Sequence, residues 1–100
     1  MYLLVSYDIA DNALRLKLSK KLVYYGLERI QYSVFIGNIK SRFQKQLEND
    51  ARELIEKSKK TTDKVLILPL EKQLLSRLSL FGQDDKIIFN MLNEKNTLII

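Results

Sequence analysis

The chain has 100 residues, of which 46% are hydrophobic, so we expect one small domain with a core of its own. It contains no cysteine and no histidine, which excludes disulfides, thiolate metal sites and any Ser-His or Cys-His nucleophile pair. No apolar run approaches the ~20 residues of a membrane span, and the first residues lack the pattern of a secretory signal. We therefore expect no membrane association and a cytoplasmic location.

Most of the formal net charge of +5 comes from one segment. Residues 12–47 hold eight Lys and Arg residues against a single acid, Glu28. A surface this one-sided suits a polyanionic partner such as nucleic acid. The simpler alternative is a charged face that only keeps the protein in solution.

Residues 2–7 read as a strand with apolar side chains on both faces, so both faces should be covered. Alternation places Tyr2, Leu4, Ser6 and Asp8 on one face. Asp8 ends this strand just ahead of a helix. It is either a helix cap or a functional carboxylate, and the cap interpretation is weakened because Asp11 and Asn12 lie closer to the helix.

The first helix should begin at Asp11 or Asn12 and end near Tyr25, where Gly26 provides the stop. Its apolar stripe consists of Leu14, Leu18, Leu22 and Tyr25. Its exposed face carries Lys17, Lys20 and Tyr24.

Residues 28–39 are rich in β-forming side chains. They form either one long bent strand or two short strands with a break near Tyr32, and we favour two strands. Strict alternation along this segment would place four side chains on one face: Arg29, Gln31, Ser33 and Phe35. A guanidinium, an amide, a hydroxyl and an aromatic ring together suit a nucleic-acid surface. For Phe35 the alternative is an ordinary core position.

A second helix should open at Ser41, with Gln44 completing a capping box, and bury Phe43, Leu47, Ala51 and Leu54. Residues 65–68 predict another buried strand, closed by Pro69. A short helix around Leu74, Leu75 and Leu78 should end before Gly82. Residues 83–85 predict a turn, and residues 86–92 and 97–100 predict two further short strands.

This order of elements predicts an α+β fold of the ferredoxin-like β-α-β-β-α-β type, with residues 86–100 as a C-terminal extension of one domain spanning residues 1–100. Two helices cover only one face of such a sheet, whereas the first strand is apolar on both. A homodimer would bury the open face and the apolar tail, and C2 pairing is the commonest solution. The extension would then be exchanged with, or packed on, the partner subunit.

Twofold pairing near Asp8 would also bring two carboxylates together. Such a pair can hold Mg²⁺ with several waters and leave room for phosphate oxygens. The metal would activate water and neutralise charge on phosphorus, which suits a chain without histidine.

The motifs resemble those of a known family, the small CRISPR-associated endoribonuclease that partners the CRISPR integrase in spacer acquisition. The resemblance covers essentially the whole chain and rests on these features: Tyr7-Asp8-Ile9, Arg15, Tyr25-Gly26-Leu27, the block from Arg29 to Phe35, Gly37, and Asp63 before a hydrophobic strand.

The resemblance implies a ferredoxin-fold homodimer in which Asp8 of both subunits coordinates Mg²⁺. It further implies that Arg15, Arg29 and Phe35 serve nuclease activity, with Ser33 in the same motif. Lys17 stands where some members have a second arginine and keeps the charge without the bidentate fork. Ile36 replaces an acid found in many members, so no metal ligand is expected there.

Two functions follow as expectations. The first is metal-dependent endonuclease activity on RNA or double-stranded DNA, with Asp8 binding Mg²⁺ and Arg15, Arg29, Ser33 and Phe35 at the catalytic site. The second is a DNA-binding bridge for the integrase, with or without catalysis, whose nucleic-acid contacts would be Lys17, Lys20, Lys21, Gln31, Arg42 and Lys45. A toxin-type ribonuclease of the same fold is the unrelated alternative.

Overall fold

The computed structural model describes residues 1–82. In chain order, the elements are β1 (Tyr2–Asp8), α1 (Asn12–Tyr24), β2 (Glu28–Gln31), β3 (Val34–Asn38), α2 (Ser41–Glu56), β4 (Lys64–Leu70) and the short α3 (Lys72–Leu75). The four strands form one antiparallel sheet in the order β2-β3-β1-β4. Strand order and element order are consistent with the expected ferredoxin-like arrangement.

The central strand β1 has its two faces in different surroundings. Leu3, Val5 and Tyr7 are buried in the main core, which they share with α1 and α2. The opposite face carries Leu4, Ser6 and Asp8, and the register aligns these with Leu68, Leu66 and Lys64 of β4. We call this second side, which α1 and α2 do not cover, the open face of the sheet.

Helix α1 begins and ends as its sequence predicts. The Asp11 carboxylate accepts a hydrogen bond from the Leu14 backbone N–H at 3.0 Å, so Asp11 is the N-cap. At the other end Gly26 has φ of +93°, a conformation that glycine adopts without steric cost. Leu18 and Leu22 are buried and Leu14 and Tyr25 pack against them, which confirms the predicted stripe.

The break in the 28–39 segment falls at Tyr32 and Ser33, as expected, but strict alternation does not continue through it. Arg29 pairs with Phe35, whereas a register shift places Gln31 opposite Val34. Gln31 therefore lies on the open face, and Ser33 lies in the turn with φ of +66°. The prediction that these residues share one face is correct for Arg29 and Phe35 and wrong for Gln31 and Ser33.

Helix α2 buries Leu47, Ala51 and Leu54 as predicted, while Phe43 is only partly covered. The predicted capping box does not form. Lys40 is the N-cap and makes no side-chain capping bond, so Ser41 is the first helical residue. Ser41 and Gln44 consequently sit one position too late to cap the helix.

Strand β4 continues through Pro69 to Leu70, so Pro69 does not close it. Because β4 is an edge strand of the sheet that residues 1–82 form, a residue without an N–H is tolerated there. After β4, Leu75 packs with Tyr2 and Ile36 on the open face, and Leu78 and Leu80 border this second cluster. The chain thus covers one part of its own open face, which the sequence had assigned entirely to a partner.

The predicted turn at residues 83–85 and the strands at 86–92 and 97–100 lie outside the described residues, as does the predicted exchange of the C-terminal extension. Within residues 1–82, no helix has both the length and the apolar character required to cross a membrane.

Candidate active site

Asp8 is the last residue of β1 and lies on the open face, where its strand partner is Lys64. Its side chain is exposed. Within residues 1–82 it makes no hydrogen bond and no ion pair. Asp8 therefore presents a carboxylate whose oxygen lone pairs are available to an external ligand.

The segment that follows Asp8 is anchored by Asp63, the residue just before β4. The Ala10 backbone N–H donates to the Asp63 carboxylate at 3.0 Å, and the Ser58 hydroxyl donates to it at 2.5 Å. These bonds, the Ser58 bond above all, lower the pKa of Asp63. Asp63 thus ties the β1–α1 loop to the loop before β4.

Arg15, in the first turn of α1, turns back toward the end of β1. Its guanidinium donates to the Ile9 carbonyl at 3.0 Å and to the Asn12 side-chain oxygen. The same group lies 6.0 Å from the centre of the Tyr32 ring. These contacts hold Arg15 in one orientation at the carboxyl end of the strand.

Arg29 and Phe35 form a pair across β2 and β3. The Arg29 guanidinium lies 5.0 Å from the centre of the Phe35 ring, within cation–π range. Phe35 is only 1% exposed and stacks on Tyr7 at 6.2 Å. Phe35 is a core residue, as the alternative interpretation held, and its ring contacts the Arg29 side chain.

A cavity of about 280 Å³ brings the two arginines together at the helix-covered side of this sheet end. Its lining consists of Tyr7, Asn12, Arg15, Leu16, Ser19, Arg29 and Tyr32. Ser33 does not line this cavity, but its carbonyl accepts a hydrogen bond at 3.0 Å from the N–H of Tyr7, which does. The structure thus brings Arg15 and Arg29 to one cavity and ties the Ser33 turn to a residue of its wall.

Asp8 does not share that cavity. Tyr7 points into the core and lines the cavity, so its neighbour Asp8 points to the open face. Within one chain, the carboxylate and the two arginines approach the end of β1 from opposite sides of the sheet.

The Asp8 carboxylate is the donor that one chain would offer to Mg²⁺ at this site. Among residues 1–82, no group of three or more Asp, Glu, His or Cys side chains could hold a metal ion. Mg²⁺ often binds through one or two carboxylates and keeps several waters, so an exposed carboxylate without competing partners fits half of such a site. The other half would have to come from a second molecule.

The basic residues of α1 border a groove of about 590 Å³ between α1 and α2. Lys17, Lys20 and Lys21 lie on one side, but α2 contributes two acids, Asp50 and Glu53. The Lys21 ammonium lies 3.7 Å from Asp50. The helix layer is therefore less one-sided in charge than the 12–47 segment suggested.

Asp50 also accepts a hydrogen bond from the Tyr25 hydroxyl at 2.6 Å. Burial of Tyr25 and the adjacent carboxylate raise the pKa of this phenol. Of the other predicted contacts, Lys45 and Gln31 are exposed, and Arg42 lies 4.8 Å from the Phe43 ring. None of these three residues lines the groove that the α1 lysines border.

Three residues of the site were missed at the sequence level. Tyr32 was treated as a break point, yet its ring is 71% exposed beside Arg15. Asn12 was considered only as a cap, and Asp63 carried no role. The signal available in the sequence was an aromatic residue at a predicted strand break, between two elements that each carry an arginine. That pattern could have marked Tyr32 as a candidate binding residue.

A family model described as CRISPR associated protein Cas2 matches residues 1–78. A CRISPR-associated endoribonuclease Cas2 of Francisella tularensis subsp. novicida is 36% identical over 83 residues, which cover 83% of this chain and 81% of that protein. One from Pyrobaculum aerophilum is 49% identical over 47 residues, covering 47% of this chain. The chain spans about half of that second relative, since the aligned part covers 52% of it.

A third relative, from Thermoproteus tenax, is named a CRISPR-associated endonuclease Cas1/endonuclease Cas2 fusion. It is 43% identical over 47 residues, which cover 47% of this chain and 18% of the fusion. Among solved structures, Streptococcus pyogenes Cas2 has a TM-score of 0.65 and 24% identity, covering 82% of this chain and all of that one. At that identity the likeness shows a shared fold.

The match over residues 1–78 and the Francisella relative cover most of the chain, including β1, the β2–β3 hairpin and β4. The chain belongs to the Cas2 family of CRISPR-associated proteins.

Proposed function

We propose that this protein is a Mg²⁺-dependent endonuclease of CRISPR spacer acquisition whose active unit is a homodimer with two Asp8 carboxylates at its centre. The single observation that carries the proposal is Asp8 itself, an exposed carboxylate without a partner among residues 1–82 at the end of the central strand. The names of the Francisella and Pyrobaculum relatives favour RNA as the substrate.

The dimer is supported by the apolar part of the open face that α3 leaves uncovered. Leu66 and Leu68 are 56% and 47% exposed and follow Lys64, the strand partner of Asp8. A second copy packed here would bury both leucines. Isologous pairing repeats each residue across the axis, so it would bring the two Asp8 residues toward one another.

In this proposal the chain supplies binding and positioning of the substrate. Bound Mg²⁺ would supply Lewis acidity and an activated water, which the chain cannot provide through histidine. Because Arg15 and Arg29 lie on the other side of the sheet from Asp8 of the same chain, they would bind phosphate groups that flank the cleaved bond and so position the substrate. The buried Phe35 ring packs against the Arg29 guanidinium and would fix its position. The Ser33 carbonyl holds the hairpin turn against Tyr7 through its hydrogen bond.

The decisive variant is Asp8→Asn, which keeps the size of the side chain but removes its charge. We expect Mg²⁺-dependent cleavage of single-stranded RNA or of duplex DNA to fall at least ~100-fold, because a direct ligand should matter more than an outer-sphere one. Cleavage is measured on labelled substrates with Mg²⁺ and with EDTA. Glu56→Gln, another exposed carboxylate, is the matched control and should cleave like the parent.

Equal cleavage by the parent and Asp8→Asn would refute the assignment and point to a contaminating nuclease. Cleavage that persists in EDTA would refute the metal requirement.

A second candidate function is a DNA-binding bridge to the integrase that needs no catalysis. It is favoured by the Cas1/Cas2 fusion named in Thermoproteus tenax and by the exposed side chains of Lys17, Lys20 and Lys45. The toxin-type alternative loses its support, because the chain belongs to the Cas2 family.

Bridging predicts salt-dependent DNA binding. The triple variant Lys17→Glu, Lys20→Glu, Lys45→Glu should bind duplex DNA more weakly than the parent. The slope of log affinity against log salt should become less steep, by about 0.9 for each phosphate that the variant no longer neutralises. Binding is measured by fluorescence anisotropy at salt concentrations between about 50 and about 300 mM, where this dependence is steep. If the slope does not change, these lysines do not bind phosphate.

A further inference from the structure

The cavity between Arg15 and Arg29 concentrates positive charge without an acid to balance it. Its lining contains two guanidinium groups and no Asp or Glu. Within residues 1–82 neither arginine forms an ion pair, because the single pair there joins Lys21 to Asp50. Two like charges beside one small cavity repel each other, so the site is electrostatically complementary to an anion.

The turn beside this cavity presents an aromatic ring to solvent. Tyr32 is 71% exposed, although aromatic side chains bury most of their surface when they serve packing alone. Arg15 lies over the ring at 6.0 Å from its centre, and the exposure of the side chain leaves most of the ring accessible to a ligand. The ring is held by a short turn whose carbonyl at Ser33 accepts the Tyr7 N–H.

We propose that this cavity binds one unpaired nucleotide, with its base stacked on the Tyr32 ring and its phosphate between Arg15 and Arg29. The proposal deepens the proposed function, since the nucleotide belongs to the same nucleic acid that Asp8 would act upon. It adds a residue, Tyr32, that selects for single-stranded over fully paired substrate.

Size and geometry support a single nucleotide. A volume of about 280 Å³ is slightly below that of drug-sized sites, which begin near ~300 Å³, and is of the size that one nucleotide would occupy. A base inside a duplex is already stacked on both sides and cannot place a face on Tyr32. Arg15 is already oriented by Ile9 and Asn12, which lowers the entropy lost on binding phosphate.

The experiment measures binding of a fluorescein-labelled single-stranded hexanucleotide to the full chain by anisotropy, in EDTA so that no cleavage occurs. Tyr32→Ala should weaken binding about tenfold to thirtyfold, which corresponds to the stacking of one base on one ring. Tyr32→Phe keeps the ring and should bind within about twofold of the parent. Ribo- and deoxyribo-oligomers are compared in parallel, and a blunt duplex should bind the parent and Tyr32→Ala equally well.

Tyr24→Ala is the matched control. Tyr24 is 80% exposed on α1 and borders the α1–α2 groove, so its loss removes an exposed ring without touching the arginine cavity. Its affinity for the hexanucleotide should be unchanged. Thermal unfolding of each variant shows that the fold is retained, as expected for exposed positions.

A hexanucleotide with abasic residues isolates the contribution of the base. It should bind the parent and Tyr32→Ala equally, since it has no ring to stack. The proposal is overturned if Tyr32→Ala binds the normal single strand like the parent, or if its affinity for the abasic strand or the duplex falls by the same factor. These outcomes are read from binding in EDTA, so they are independent of the cleavage experiment that tests Asp8.

Discussion

Asp8 and Asp63 lie near each other in the fold but in different chemical settings. Asp63 accepts hydrogen bonds from Ala10 and Ser58, and its pKa is lowered by them. Asp8 makes no such bond within residues 1–82. One carboxylate therefore stabilises the loop, and the other remains available for a ligand.

The lowered pKa makes Asp63 a source of pH-dependent stability. Its stabilising effect is full above the unfolded-state pKa, about 3.8, and is lost as the pH falls through the lower folded-state pKa. Asp63→Asn mimics the protonated form. We expect this variant to melt at a lower temperature than the parent at about pH 7, with the difference shrinking at a pH of about 3, below the usual Asp pKa.

Circular dichroism melting curves of both proteins at the two pH values test this. The control Glu56→Gln removes an exposed carboxylate and should show no pH-dependent difference. A deficit for Asp63→Asn that is as large in acid as at neutral pH would contradict the assigned role of the charge.

At the residue scale, the sequence singled out Asp8, Arg15 and Arg29 by type and position, and their roles in catalysis stay predictions. It could not show that Phe35 is almost fully buried beneath Arg29. The burial of Phe35 depends on which elements pack over it, and one of them is β1, whose Tyr7 stacks on the Phe35 ring.

Strand β3 and the loop after α1 pack unusually close at Gly37. A Cβ at this position would lie 2.8 Å from the Leu27 Cα and 2.9 Å from the Gly26 carbonyl oxygen. Both are backbone atoms, so the loop and the strand would have to separate. The absence of a side chain at Gly37 is thus what allows the hairpin to dock against the end of α1.

Gly37→Ala should therefore destabilise the protein by about 1–3 kcal/mol, the usual cost of forcing extra atoms into a packed site. Urea unfolding followed by circular dichroism measures the change. Gly82→Ala is the matched control, because nothing lies within 4 Å of a Cβ built there, and its effect should stay within about 0.5 kcal/mol. Equal stability of the two variants would mean that the loop moves freely away from β3.

At the scale of elements, local sequence signals predict the start of α1 correctly but not the start of α2. Asp11 caps α1 through its own side chain, as its residue type predicts. For α2 the same logic chose Ser41, but the chain enters the helix one residue earlier, at Lys40. The backbone N–H of Ile39 is bonded to the Met1 carbonyl, so the sheet sets where α2 can start.

At the scale of the whole molecule, the sheet has one fully covered face and one that is covered in part. The cluster of Tyr2, Ile36 and Leu75 covers the end of the open face near the start of β1. Leu66 and Leu68 remain exposed toward the Asp8 end. The proposed dimer would use this second region.

Leu68→Lys places a charge in that region and should shift the protein from dimer to monomer at micromolar concentration, because burying an unpaired ammonium is costly. Sedimentation velocity gives the oligomeric state. Mg²⁺-dependent cleavage should fall in parallel, since each monomer holds a single Asp8.

Val23→Lys is the control for that experiment. Val23 is 61% exposed on α1, on the helix-covered side of the sheet, so its change should leave the dimer intact. If Leu68→Lys stays dimeric, the open face is not the interface. A parent protein that sediments only as a monomer would remove the basis for a shared metal site.

Local chemistry along the chain was enough to predict the order of elements, the cap at Asp11, the helix stop at Gly26 and the break at Tyr32. Each of these depends on side chains within a few residues of one another, through propensity, capping or backbone freedom. The charge of the 12–47 segment is likewise a property of the sequence alone.

Tertiary structure decided those features that depend on residues far apart in the sequence. Pro69 stays within β4 because that strand is at the edge, and Gln31 changes face because β2 and β3 pair with a register shift. Lys21 is balanced by Asp50, and Asp8 is separated from Arg15 and Arg29 by the sheet itself. Register, edge position and proximity arise from contacts between segments far apart in the chain, which no local pattern contains.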